Sequence, residues 1–102
     1  MEKIPSTWIM KIATIIKDNF TMAEILSLTN SFGAEHDIKI TYQNPPKYTN
    51  KQKVANQNFS NFTPSQMILF LTYLVESKKG TSPQQINELK NEVIAKFSNA
   101  QV

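Results

Sequence analysis

The sequence predicts an all-α domain, a compact bundle of five or six helices, and three observations carry that prediction. The first is a helix-start signal that recurs. Thr21-Met22-Ala23-Glu24, Thr63-Pro64-Ser65-Gln66 and Ser82-Pro83-Gln84-Gln85 each read hydroxyl-x-x-Glu/Gln just ahead of an apolar run. In such a capping box the hydroxyl accepts from the N3 amide while the Glu or Gln side chain accepts from the N-cap amide. The second is proline at the first helical position in two of these starts, Pro64 and Pro83, where the missing N–H costs nothing. The third is composition: 102 residues hold only 2 glycines, too few for a turn-rich β fold. A chain of this length is one domain, residues 1–102, with a single core that needs no covalent staples.

The elements follow in order. Residues 4–19 read as the first helix, with Trp8, Ile9, Ile12, Ile15 and Ile16 at helical spacing and Lys11, Lys17 and Asp18 opposite. Pro5 suits its first turn. Phe20 precedes the Thr21 cap and is placed to staple against Ile25. The second helix spans 22–32, with Met22, Ile25, Leu28 and Phe32 on one side and Gly33 as its left-handed stop.

Residues 34–49 are the least regular stretch. Glu35-His36-Asp37 can start one helical turn, and Ile38-Lys39-Ile40-Thr41-Tyr42 alternates like a short strand that has no partner elsewhere in the chain. Asn44-Pro45-Pro46 then disfavours both helix and ladder. The expectation is a long ordered loop with at most one helical turn.

A third helix over 51–59 takes Asn50 as cap and Val54, Ala55 and Phe59 as its buried edge. The fourth, 64–79, is apolar almost all round, from Met67 through Leu71 and again from Tyr73 to Val75, which predicts a central helix surrounded by the others. Phe62 is placed to staple against Met67, and Lys78-Lys79-Gly80 forms the stop. The fifth helix, 83–98, carries a narrow stripe of Ile86, Leu89, Val93 and Phe97 with Ile94 beside it.

Composition narrows the function. The chain has no cysteine, which excludes disulfides, thiolate metal sites and cysteine nucleophiles together. The formal net charge of +3 comes from lysines with no arginine among them, and arginine is the usual reader of guanine edges and the bidentate phosphate clamp. The lysines are dispersed, apart from a loose patch at Lys47, Lys51 and Lys53. Nucleic-acid binding therefore has no support here. Met1-Glu2-Lys3 is followed by a helix interrupted by Lys11 and Lys17, not by an unbroken apolar core, and the longest apolar run is too short to span a bilayer. The expectation is a cytoplasmic protein with no membrane partner.

Candidate chemistry is equally thin. His36, the single histidine, stands between Glu35 and Asp37, and i±1 neighbours diverge on a helix and alternate on a strand. No second histidine completes a zinc site, and no other conventional base is present for a hydrolytic triad. Gly33 and Gly80 alone cannot make a glycine-rich phosphate loop. Glu88 and Glu92 pair at i,i+4 on an exposed helix face, the pattern of a solvated surface. The sequence thus assigns no catalytic, metal or cofactor residues, and the expectation is a protein that is not an enzyme. Helix-turn-helix recognition fails as well: the loop between the second and third helices is too long, and the helix at 64–79 is too apolar to lie in a groove.

What remains is surface for a protein partner. Tyr42, Pro45, Pro46 and Tyr48 combine rigid rings with the charges of Lys47, Lys51 and Lys53, and tyrosine is a frequent interface anchor. Both tyrosines could equally fold back over the core. Glu76, Glu88 and Glu92 form an acidic edge able to complement the lysines in a head-to-tail contact, a heterologous geometry that does not close by itself.

The run Phe20-Thr21-x-x-Glu24-Ile25-x-x-Leu28 to Gly33, a variable loop, Asn50-Lys51-x-Lys53-Val54, then Phe59 and an apolar helix resembles the small N-terminal helical domains of bacterial abortive-infection proteins, which are similar to death-like recruitment domains. The resemblance covers roughly residues 20–76. It implies a death-like bundle of six helices without catalytic residues, acting as a homotypic adaptor between an anti-phage sensor and its effector. The chain departs from that pattern in showing five helices and a longer loop with its Pro45-Pro46 pair. The expected function is a non-catalytic interaction module whose partner is a second copy or a related helical domain, in prokaryotic defence. Its rivals are a stand-alone inhibitor or immunity-type protein that blocks one target, and a lysine-driven nucleic-acid accessory domain.

Overall fold

Helix-start chemistry organises the fold. In a computed structural model, which describes residues 3–77, 79 and 82–97, the chain runs through α1 (Ser6–Asn19), α2 (Met22–His36), α3 (Lys51–Phe59), α4 (Pro64–Glu76) and α5 (Pro83–Lys96). No strand occurs among the described residues. The fold is an all-helical bundle, and its radius of gyration of 12.5 Å is that of a folded chain of this length.

Two of the three expected capping boxes form with both arms. Thr21 Oγ1 accepts from Glu24 N at 3.2 Å while Thr21 N donates to Glu24 Oε1 at 2.8 Å. Thr63 and Gln66 repeat the exchange at 3.2 and 2.9 Å. Asn50 caps α3 by accepting from Lys53 N at 2.9 Å. The third box does not form: the Ser82 side chain makes no capping bond. The buried amide of Asn19, at the end of α1, replaces one arm of it, the acceptor for the Ser82 amide. Asn19 Oδ1 accepts from Ser82 N at 2.7 Å, and Asn19 Nδ2 donates to Gln85 Oε1 at 2.9 Å and to Ile15 O at 2.8 Å. A tertiary contact has drawn off the Gln85 side chain that a local box would use.

Gly33 does not stop the second helix. α2 continues to His36 and ends at Asp37, which takes the left-handed conformation with φ 55°. Ile38 N then donates to Gly33 O at 2.9 Å, the long closing bond of a Schellman motif. Gly33 lies inside the helix because the returning chain crosses it. A Cβ there would sit 2.5 Å from Ile40 Cγ1 and 2.9 Å from Ile38 O. Glu35 and His36 are therefore the last turn of α2, not a separate one.

Residues 38–50 contain no helix or strand, and they are ordered by side chains from α2 and α3. Ile38 and Ile40 alternate into the core while Lys39 and Thr41 face out. Asn58 is fully buried and grips both backbone groups of Tyr42: its Oδ1 accepts from Tyr42 N at 2.8 Å and its Nδ2 donates to Tyr42 O at 3.0 Å. The same Nδ2 donates to Thr29 Oγ1 at 3.0 Å, and Asn30 Nδ2 adds a bond to Tyr42 O at 3.1 Å.

The remaining bounds shift at their ends. α1 begins at Ser6, with Pro5 O accepting from Trp8 and Ile9. α4 ends at Glu76 and α5 at Lys96, so both are shorter than expected; Lys78, Gly80 and Ser98 lie outside the described residues.

α4 lies along α5, α1 along α3, and α2 against α3, with lighter contacts from α1 to α5 and α2. Ile12, Ile16, Ile25, Val54, Phe59, Phe62, Met67, Leu71, Leu74, Ile86 and Leu89 are among the fully buried side chains. Phe59, Phe62 and Phe70 meet edge to face with centroids 5.3 to 5.7 Å apart, and Phe32 joins them, stacked on Phe62 at 5.4 Å and edge-on to Phe70 at 5.2 Å. The expectation that α4 is surrounded on every side fails. Leu69 and Tyr73 stay 53% and 47% exposed, because no helix packs along that flank.

Candidate interaction surface

The open flank of α4 faces α2 across a groove of about 400 Å³. Leu28 and Phe32 stand one turn apart on α2, Leu69 and Tyr73 one turn apart on α4, and these four supply the apolar walls. Phe32 is 8% exposed and ties the groove to the aromatic cluster below it. Ser27, Ser31, Glu35, His36 and Lys79 make the polar rim. The His36 ring stacks on Phe32 with centroids 4.1 Å apart, so its place is the lip of the groove. Exposed apolar side chains rimmed by polar ones are the pattern of a protein-binding surface.

The residues expected to form an interface divide between engaged and free. Tyr42 is half-buried against the core, with its backbone held by Asn58 and Asn30. Lys51 is half-buried and donates to Phe20 O at 3.1 Å. Glu92 pairs with Lys11 at 2.8 Å, and that ammonium also lies 4.9 Å above the Trp8 ring. These three are committed within the chain. Glu76 and Glu88 are exposed, and so are Lys47, Tyr48 and Lys53 around the end of the long loop. Tyr48 is fully exposed and has φ 56°, a left-handed conformation uncommon for a residue with a side chain of this size. Next to it, Thr49 Oγ1 is buried and makes no hydrogen bond to the protein.

Sequence reasoning missed Leu69 and Tyr73 as surface, while Leu28 and Phe32 pack on the core as expected. The signal was α4 itself, a helix with almost no polar side and too few other helices to enclose it. Among the described residues no three His, Asp or Glu side chains gather as a metal cluster would, and no helix is long and apolar enough to cross a membrane. No protein-family model, no curated protein and no solved structure matches this chain.

Proposed function

We propose that the domain is a non-catalytic protein–protein interaction module, a homotypic adaptor that recruits or oligomerises through contact between copies or related helical domains. The single observation that carries this reading is the uncovered apolar stripe of Leu69 and Tyr73 beside the α2–α4 groove. Half-exposed Leu and Tyr side chains over a rigid aromatic floor are what an interface buries, at about 25 cal/mol for each Å² of apolar surface removed from water. The resemblance of residues 20–76 to death-like domains of abortive-infection proteins supports placing that adaptor in prokaryotic anti-phage defence, in the cytoplasm.

Molar mass by light scattering over a wide concentration range tests the reading. Growth beyond a monomer with rising concentration is expected. A strict monomer at every concentration would overturn the homotypic reading in favour of a one-to-one binder of a single target.

A further inference from the structure

We infer that the Tyr48 tip of one copy docks into the α2–α4 groove of a second copy, a deepening of the homotypic reading on which it rests. Three features of the tip set it apart. Tyr48 is the most exposed large hydrophobic residue described, it stands on a left-handed backbone, and its neighbour Thr49 buries a hydroxyl that finds no partner in the protein. Strained backbone and unsatisfied polar groups persist where the surroundings impose them, and they gather at binding segments. Just before the tip, Pro46 is half-buried and Pro45 restricts the residue preceding it, so the ring is presented on a stiff support.

The groove offers what a tyrosine anchor needs. Its walls are Leu28, Phe32, Leu69 and Tyr73, and its volume of about 400 Å³ accommodates an aromatic ring. Charge sorts the partners. Lys47 and Lys53 flank the tip, whereas Glu35 stands on the groove rim and Glu24 lines the hollow that continues it past Leu28. Lys79 borders both hollows and is the one cation opposed to this pairing among the described lining residues.

The tip and the groove of one chain serve different partners. Asn44 and Pro45 lie beside Met22, Leu26 and Asn30 on one side of α2, and the groove opens beside Leu28 and Phe32 on another. The contact joins two different patches: where two copies exchange tips it closes as a pair, and where they do not, each copy keeps a free tip and a free groove and assembly propagates into a ring or a filament.

Two variants at exposed positions test this, Tyr48→Ala and Leu69→Lys, each checked for an unchanged circular dichroism spectrum and followed by sedimentation velocity alone and mixed. Wild type is expected to grow with concentration. Each variant alone is expected to lose self-association by roughly tenfold or more, the loss typical of a truncated anchor. An equimolar mixture is expected to form particles of two chains and no larger, because the intact tip of the Leu69 variant fits the intact groove of the Tyr48 variant and both remaining ends are dead. Variants that associate like wild type would overturn this docking and leave the homotypic reading standing. Two inert variants whose mixture is also inert would overturn it in favour of a two-fold contact. A strictly monomeric wild type, its groove then open to a helix of another protein, would overturn both.

Discussion

Replacing Gly33 with alanine pits two effects of opposite sign against each other. In an exposed helix interior the change would stabilise by about 1 kcal/mol, because alanine loses less conformational entropy than glycine. Here the added methyl would stand 2.5 Å from Ile40 Cγ1 and 2.9 Å from both Ile40 Cδ1 and the Ile38 carbonyl oxygen. Neither neighbour can step aside easily. Ile38 is held by its bond to Gly33 O at 2.9 Å, and the Ile40 side chain is buried. Overpacking of this kind costs about 1–3 kcal/mol. Set against the propensity gain, the balance is a destabilisation of about 0–2 kcal/mol, which lowers Tm by up to roughly 15 °C in a domain of this size. Urea denaturation and a thermal scan read the effect directly. A double-mutant cycle with Ile40→Ala gives the mechanism. Removing Ile40 takes away the closest contact, so the pair should cost less than the sum of its parts by about 1 kcal/mol. A rise in Tm for Gly33→Ala would refute the steric argument. Strict additivity with Ile40→Ala would show that the glycine serves some need of the backbone other than close approach.

Two other predictions rest on the same accounting of backbone groups. Asn58→Leu keeps the branched shape of the side chain but removes the bonds to Tyr42 N, Tyr42 O and Thr29 Oγ1, leaving the Tyr42 N–H without its partner. Destabilisation of about 2–4 kcal/mol is expected, together with faster hydrogen exchange at the Tyr42 amide, and an unchanged exchange rate there would refute the role given to Asn58. At the helix starts, Thr21→Ala and Thr63→Ala should each cost about 1 kcal/mol, while Ser82→Ala should be close to neutral because that hydroxyl caps nothing. Equal losses at all three sites, measured by urea midpoint, would contradict the observed geometry.

Local chemistry was legible in the sequence and long-range chemistry was not. Thr21, Asn50 and Thr63 announce their helices because the groups they satisfy lie within four residues. Ser82 carries the same signal and misleads, since Asn19, distant in sequence, supplies the bond. Gly33 misleads for a related reason: a helix stop and a close-approach site both select glycine, and only the position of Ile40 tells them apart. The candidate surface follows the same division. Tyr48 and its lysines could be named from composition, whereas Tyr42 and Lys51 carry the same side-chain types and, like Glu92, are engaged within the chain. The groove was least legible. An apolar residue on α4 is read as core unless it is known which helices lie beside it, and that α2 meets α4 at Phe32 and Phe70 but leaves Leu69 and Tyr73 uncovered is a property of the whole bundle.

The long loop links the core to that surface. A loop of this length held only at its ends would move its tip over many positions, and an anchor that must be ordered on binding loses affinity. Here the first half is fixed twice, by Ile38 and Ile40 against α2 and by the Asn58 amide on both backbone groups of Tyr42. The second half is fixed where Asn50 caps α3 and Lys51 reaches Phe20 O. Between those clamps only the tip at 43–49 is left to present, with two prolines stiffening it. A buried asparagine is tolerated in a hydrophobic core only where its hydrogen bonds are made, and here they go to Thr29 Oγ1 and to both backbone groups of Tyr42. What Asn58 supplies beyond stability is the path of the loop, and hence the position of Tyr48 relative to the bundle. Asn58→Leu should therefore weaken self-association under conditions where the domain remains fully folded, although Asn58 lies 0% exposed and touches no partner.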